Sequence, residues 1–339
     1  MVTIKDIAKA TGVSPSTVSR VIADNPRISM QTKRKVRKAM KEMGYHPNVN
    51  ARNLVSRSTK SLGVIMPSSA DRALQNPFFP EVLRGIGSVT YDEGYSVTLS
   101  TGRTAEEIYS EVERLVYGRY VDGVILLYSR INDPIVTFLL ENDFPFTIVG
   151  KPNDRLNEIT HVDTDNFTAG KEITEHLIEK GHKKIAFIGG EKELLVTVDR
   201  MAGYEYALQH ANYPRKEEYK VHAEFLKSGG DKAIKHLLSL ENPPTGLVVS
   251  DDLMSLGVLS ALDQSGYEVP KDISIASFNN VYLSEITHPA LTTVDINIYE
   301  LGAQSAKALI EKTLNKDEPA KRIIIPHEII YRNSVLEIK

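Results

Sequence analysis

From residue 61 onward the chain alternates short apolar, β-rich runs with amphipathic stretches, and this alternation limits the folds open to it. The runs are LGVIMP (62–67), YSVTLS (95–100), GVILLY (123–128), FTIVG (146–150), KIAFIGG (184–190), GLVVSD (246–251) and ISIASF (273–278). Short β-rich runs separated by helices imply parallel sheets covered on both faces. The strands are too many for one compact sheet. Two α/β lobes of similar size fit better, with a break near residue 160. After residue 290 the segment LTTVDI, a helix and IIIP return to both lobes. The expected division is a first lobe of about 61–161 and 291–321, and a second of about 162–290 and 322–339.

The first sixty residues have a different character. They hold thirteen Lys or Arg against three Asp or Glu, whereas the remaining 279 residues hold 28 basic and 41 acidic residues. A small basic segment joined to an acidic body points to a polyanionic partner for that segment alone. The chain has no cysteine, which excludes disulfides and cysteine-based metal sites. The opening MVTIKDIAKATG lacks the apolar stretch of a secretory signal, and no run of about 18 apolar residues is long enough for a transmembrane helix. The expectation is a cytoplasmic protein without a membrane partner.

The basic segment is patterned for folding. Ile4, Ile7 and Ala8 share one face of a short helix that Gly12 can end. Ser14 can cap a second helix with Pro15 at its first position, Val18, Val21 and Ile22 inward, and Ser16, Thr17 and Arg20 outward. A third begins near Ser29, carries Val36, Ala39, Met40 and Met43 inward, and presents Lys33, Arg34, Arg37, Lys38 and Lys41 outward before Gly44. Three such helices make a helix-turn-helix domain over residues 1–46. Its second helix enters the major groove, where Ser16, Thr17 and Arg20 are the candidate base readers.

At these residues the chain resembles the LacI/GalR family of bacterial repressors. The shared frame is the I-x-D-I-A opening, the G-V-S-x-x-T-V-S-R-V core and Y-x-P-N-x-x-A-R-x-L after the third helix. The resemblance implies that Thr3, Ser14, Ser16, Thr17 and Arg20 contact double-stranded operator DNA. It also implies that residues 47–60 form a hinge helix and linker. There Asn48 and Ala51 meet DNA and Leu54 wedges between base pairs in the minor groove, beside its twin from a second subunit. Without the resemblance, the same segment reads as an inert linker.

Over 61–339 the resemblance extends to a periplasmic-binding-protein-like effector domain, with ligand in the cleft between lobes at the carboxyl ends of strands. It implies effector contacts at Ser68, Ser69, Phe79, Asp165, Asn166, Arg200, Phe225, Asp252 and Asn280. Charged and amide groups with an aromatic plate suit a polyhydroxylated ligand. Other readings stay open. Arg200 can pair with Asp199 or Glu193, Asp252 can cap a helix, Phe79 and Phe225 can be core residues, and Asn280 departs from the aspartate usual in the family. His161, His182, His236 and His327 are scattered and read as structural, not as metal ligands.

Within the family the full-length pattern, including NPFF and VVSDDLMSLG, is most similar to maltose-operon regulators of Gram-positive bacteria. That implies maltose or a related α-glucoside as inducer. A purine corepressor or a phosphorylated partner protein is the alternative. VLEIK is too short for the tetramer-forming heptad helix of some relatives, so a homodimer is expected. An enzyme is disfavoured, because G-x-G-x-x-G and G-x-x-x-x-G-K-[ST] are both absent and Asp251–Asp252 point apart at a helix start. A free transport protein is disfavoured by the basic segment. No cofactor is implied.

Overall fold

The computed structural model describes residues 2–46, 58–315 and 317–338. The chain divides into two compact units, Met1–Thr59 and Lys60–Lys339. In the first, α1 (Ile4–Thr11), α2 (Pro15–Ile22) and α3 (Met30–Glu42) pack around buried Ile7, Ala8, Val18, Val21 and Val36. Local chemistry sets the helix ends. The Asp6 carboxylate accepts from the Thr3 N–H (2.9 Å) and hydroxyl (2.7 Å), tying down the start of α1. Ser14 caps α2 by accepting from Thr17 N–H at 3.1 Å, and Ser29 caps α3 by accepting from Thr32 N–H at 3.2 Å. Gly12 ends α1 at φ 65°, a left-handed conformation that costs a side-chain-bearing residue more.

The second unit contains two six-stranded sheets. The first is built from β1 (Ser61–Ile65), β2 (Ser96–Leu99), β3 (Gly123–Leu126), β4 (Phe146–Val149), β5 (His161–Thr164) and a late strand. The second uses β6 (Ile185–Gly189), β7 (Lys220–His222), β8 (Gly246–Val249), β9 (Ser274–Phe278), β10 (Thr292–Asp295) and another late strand. Those late strands are β11 (Arg322–Ile325) and β12 (Glu328–Ile330). The orders are β2-β1-β3-β4-β5-β11 and β7-β6-β8-β9-β10-β12, so the two sheets share one winding. All pairings are parallel except β10 with β12. β1, β3, β4, β6, β8 and β9 are buried along their whole length, as strands covered by helices on both faces must be. Each fully buried Leu, Ile or Phe contributes about 1.5–3 kcal/mol.

Strand pairing moves the lobe borders. β5 and β11 belong to the first sheet and β10 to the second. The chain therefore crosses between lobes after residue 164, after 295 and after 325, a few residues later each time than the borders at 161, 290 and 321 expected from the sequence. The reason lies in the strands themselves. HVDT has a single apolar residue, and it completes the first sheet by pairing with RIII, Arg322 opposite His161. LTTVDI pairs with β9 before the chain leaves the second lobe.

Helices cross at glycines. A Cβ on Gly85 of helix Phe78–Asp92 would lie 2.0 Å from the Tyr299 carbonyl oxygen, and one on Gly257 would lie 1.8 Å from that of Lys227. Helices Phe78–Asp92 and Ile298–Leu314, and helices Lys227–Leu238 and Asp252–Gln264, come together at backbone distance because these positions lack side chains. Among the described residues no helix is long and apolar enough to cross a membrane.

Candidate effector cleft and nucleic-acid interface

In sheets wound in this order the strand succession reverses between the first and third strands, and a crevice opens beyond their carboxyl ends. Here that happens twice, between β1 and β3 and between β6 and β8. The two crevices face one another across a cleft of about 190 Å³. The segments after β1 (Pro67, Ser68) and β3 (Leu127, Tyr128, Ser129) line it from the first lobe, and Glu191, Ser250 and Asp251 line it from the second.

The floor is a buried polar network. Arg200, on helix Leu195–His210, is 3% exposed. Its Nε donates to Asn166 Oδ1 at 2.8 Å, an Nη donates to the Ser250 carbonyl at 2.7 Å, and the guanidinium lies 4.2 Å from the Phe278 ring centre. Burial lowers its pKa to about 10, opposed by the nearby carboxylates of Asp251, Asp163 and Asp252. Asp251 caps helix Asp252–Gln264 through one oxygen, accepting from Leu253 N–H (2.8 Å) and Met254 N–H (3.2 Å). Its other oxygen accepts from Asn279 Nδ2 at 2.8 Å and, across the cleft, from Asn76 Nδ2 at 2.9 Å. Burial raises the Asp251 pKa and pushes that of Asp163, at the end of β5, up to about 7. Among the described residues three buried side-chain atoms have no hydrogen-bond partner: Asn279 Oδ1, Ser250 Oγ and Thr197 Oγ1. Asn279 is held at φ 105°, a strained conformation that aims its amide toward Asp251. The aromatic walls are Phe79, Tyr128 and Phe225. The Phe225 ring fits only because position 190 is glycine, where a Cβ would lie 2.2 Å from Cζ.

The rim joins the lobes through exposed and half-buried ion pairs. Arg72 meets Glu224 at 2.6 Å, Lys151 meets Asp199 at 2.8 Å, and Arg130 meets Glu191 at 3.0 Å.

Of the nine expected effector residues, Ser68, Phe79, Asn166, Arg200 and Phe225 line this cleft, and four do not. Ser69 caps a short helix by accepting from Arg72 N–H. Asp165 is an exposed cap that accepts from Thr168 N–H at 3.0 Å and Thr168 hydroxyl at 2.7 Å. Asp252 is fully buried on the far side of its helix, accepting from Val281 N–H and Thr293 hydroxyl, both at 2.9 Å, and burial raises its pKa to about 7. Asn280 donates to Asp295 at 2.9 Å and accepts from Arg332 at 2.8 Å. In the doublets Asp251–Asp252 and Asn279–Asn280 the first residue faces the cleft and the second holds the lobe together. Sequence reasoning missed Asp251, Asn279, Asn76 and Asp163. Three of these follow or end a strand, which is the available signal. Arg200 pairs with neither Asp199 nor Glu193, because Asp199 is taken by Lys151.

In the first unit Ser16 and Arg20 are exposed on α2, and Thr17 is half-buried, with its hydroxyl 2.9 Å from that of Ser14. Thr3 and Ser14 serve as helix caps. Lys33 departs from the expected outer face. It is 7% exposed and its ammonium donates to the Asp24 carbonyl (3.0 Å) and carboxylate (2.9 Å), while Arg37 meets the same carboxylate at 2.6 Å. Those two cations are engaged within the domain. Asn48, Ala51 and Leu54 lie outside the described residues.

A basic helix-turn-helix carried by the same chain as a two-lobed α/β module with a polar cleft defines a ligand-responsive DNA-binding regulator. Residues 3–48 match the bacterial regulatory proteins of the lacI family, and residues 174–335 match the periplasmic binding protein-like domain. The chain is 42% identical over 337 residues to the HTH-type transcriptional regulator MalR of Streptococcus pneumoniae, covering 97% of this chain and 99% of that one. It superposes on the lac repressor dimer bound to operator and an anti-inducer, with TM-score 0.86 and 25% identity over 99% of each chain. The complex of the regulator CelR with cellobiose gives TM-score 0.77 and 29% identity over 98% of this chain and 100% of that one. The chain belongs to the LacI family of bacterial transcriptional regulators, DNA-binding proteins with an effector domain and no enzymatic activity.

Proposed function

We propose that this regulator is a homodimeric repressor that releases its operator when maltose or a related α-glucoside enters the cleft. The carrying observation is the cleft itself, where aromatic walls at Phe79, Tyr128 and Phe225 flank a floor of carboxylate, amide and guanidinium groups. A sugar presents apolar ring faces to aromatic plates and hydroxyls that both donate and accept. The name of the Streptococcus relative and the cellobiose in the CelR complex agree with such a ligand. On DNA, Ser16, Thr17 and Arg20 read base edges, Arg20 by paired bonds to a guanine. Thr3 and Ser14 touch the backbone, and Leu54 with Asn48 and Ala51 acts in the minor groove. Effector closes the lobes differently in the two states, with a coupling of about 1–3 kcal/mol. As a regulator of DNA it works in the cytoplasm.

Calorimetric titration of the full chain with maltose, then with guanine and hypoxanthine, tests the ligand. Binding of maltose that is lost in Asp251→Ala and Arg200→Ala is the expected result. Binding of a purine with silence toward maltose overturns the sugar reading and leaves a purine-corepressed regulator. A gel shift across a salt series tests the DNA part. Affinity falls steeply with salt as counterions are released, and an operator complex indifferent to salt overturns the assignment.

A further inference from the structure

Five carboxylates line the cleft (Asp163, Glu191, Asp199, Glu224 and Asp251) against three cations (Arg72, Lys151 and Arg200). None of those cations stands alone. Arg72 is held by Glu224, Lys151 by Asp199, and Arg200 by Asn166 and the Ser250 carbonyl, with two carboxylates of the cleft near it. An anionic ligand group on the floor would therefore displace a carboxylate from its partner or sit beside Asp163 and Asp251. Either arrangement buries like charges together or forces Asp163 or Asp251 to take up a proton, and both cost binding free energy. The unpartnered buried oxygens bear on the same question. Asn279 Oδ1 accepts only, so it calls for a ligand group that donates, as a hydroxyl does and a phosphate dianion does not.

We propose that the cleft selects uncharged, hydroxyl-rich ligands and rejects their phosphorylated forms, with Asp163, Asp251 and Asn279 as the acceptors that set this choice. The proposal rests on the reading of the cleft as a sugar site and adds a rule of charge to it. In a cell that holds free and phosphorylated sugars side by side, the regulator would report only the free pool.

The test is calorimetry of the full chain with three matched pairs: maltose and maltose 6′-phosphate, trehalose and trehalose 6-phosphate, glucose and glucose 6-phosphate. Whichever uncharged sugar binds, its phosphorylated partner is expected to bind at least about 100-fold more weakly, the scale of one uncompensated buried charge. At pH 8, above the raised Asp163 pKa, Asp163→Asn removes one negative charge at nearly constant shape. It should narrow the gap within the pair, whereas a purely structural role would weaken both members alike. A phosphorylated sugar that binds within tenfold of its partner, or more tightly, overturns the selectivity alone. An unchanged gap in Asp163→Asn removes that residue from it. Binding of no sugar in either form overturns the sugar reading, and the selectivity falls with it.

Discussion

Charge pairs occur in two tiers of the cleft, and the tiers do different work. On the floor, Arg200 is 3% exposed and its hydrogen bonds to Asn166 and the Ser250 carbonyl tie it into a network near Asp163 and Asp251. At the rim, Arg72 and Glu224 have side chains 50% and 56% exposed. Both tiers cross between lobes, through Asn76 and Asp251 below and through three ion pairs above. Water screens the upper pairs, most fully Arg72–Glu224, so each is worth less than a buried pair. The lower network is buried, so removing one member leaves the others desolvated and unmatched.

The sharpest way to break this contrast is Arg200→Ala. It should lower unfolding free energy by about 3–5 kcal/mol in a urea titration and abolish effector binding, because Asp163 and Asp251 lose their shared counter-charge. A loss comparable to that of a rim variant would contradict the two-tier picture. Next in size are the two halves of the aspartate doublet. Asp251→Ala removes a helix cap and leaves Asn76 and Asn279 unsatisfied, about 1–3 kcal/mol together with a large loss of effector affinity. Asp252→Ala should cost similar stability while the affinity of the folded protein changes little. Equal effects on affinity would mean that the doublet does not divide its roles.

A pH series sharpens the comparison further. Burial raises the Asp163 carboxyl to about 7 in the folded chain. A raised carboxyl binds protons more readily folded than unfolded, so its contribution is present at acid pH and lost as pH climbs through 7. Relative to Asp163→Asn, the ligand-free wild type should therefore gain stability between pH 8 and pH 5. Taking this difference also cancels His161, His176 and His182, whose pKa values are lowered by burial and act in the opposite sense. The smallest effects are expected at the rim, where Arg72→Ala or Arg130→Ala should cost less than about 1 kcal/mol in thermal unfolding, and less still at high salt.

The legible parts of the sequence were those where a single residue type decides a local geometry. Ser14, Pro15 and Gly12 announced two helix ends, and the apolar runs announced strands buried on both faces. HVDT and KVH passed unnoticed because each has only one strongly apolar residue, Val162 and Val221, yet Asp163 sits in the first of them. The doublets failed for a different reason. Periodicity places a helix start to within a residue or two, and at Asp251–Asp252 one residue of shift moves a carboxylate from cleft to core. At Asn279–Asn280 the backbone turns through φ 105° and φ 49°, a bend with no periodic signature. Lys33 looked like a surface cation because its face is basic, and only the distant Asp24 explains its burial.

The three crossings between lobes also set a timetable. β5 of the first sheet waits for β11, which lies beyond β6 to β10 of the second lobe, and at roughly 5–20 residues per second of synthesis that wait lasts on the order of ten to thirty seconds. During it the nascent first lobe presents an open parallel edge at His161–Thr164, the kind of edge on which other chains can pair. The second sheet receives β12 only moments after the first is closed. Both sheets are therefore completed only by the last stretch of the chain, through β11 and β12.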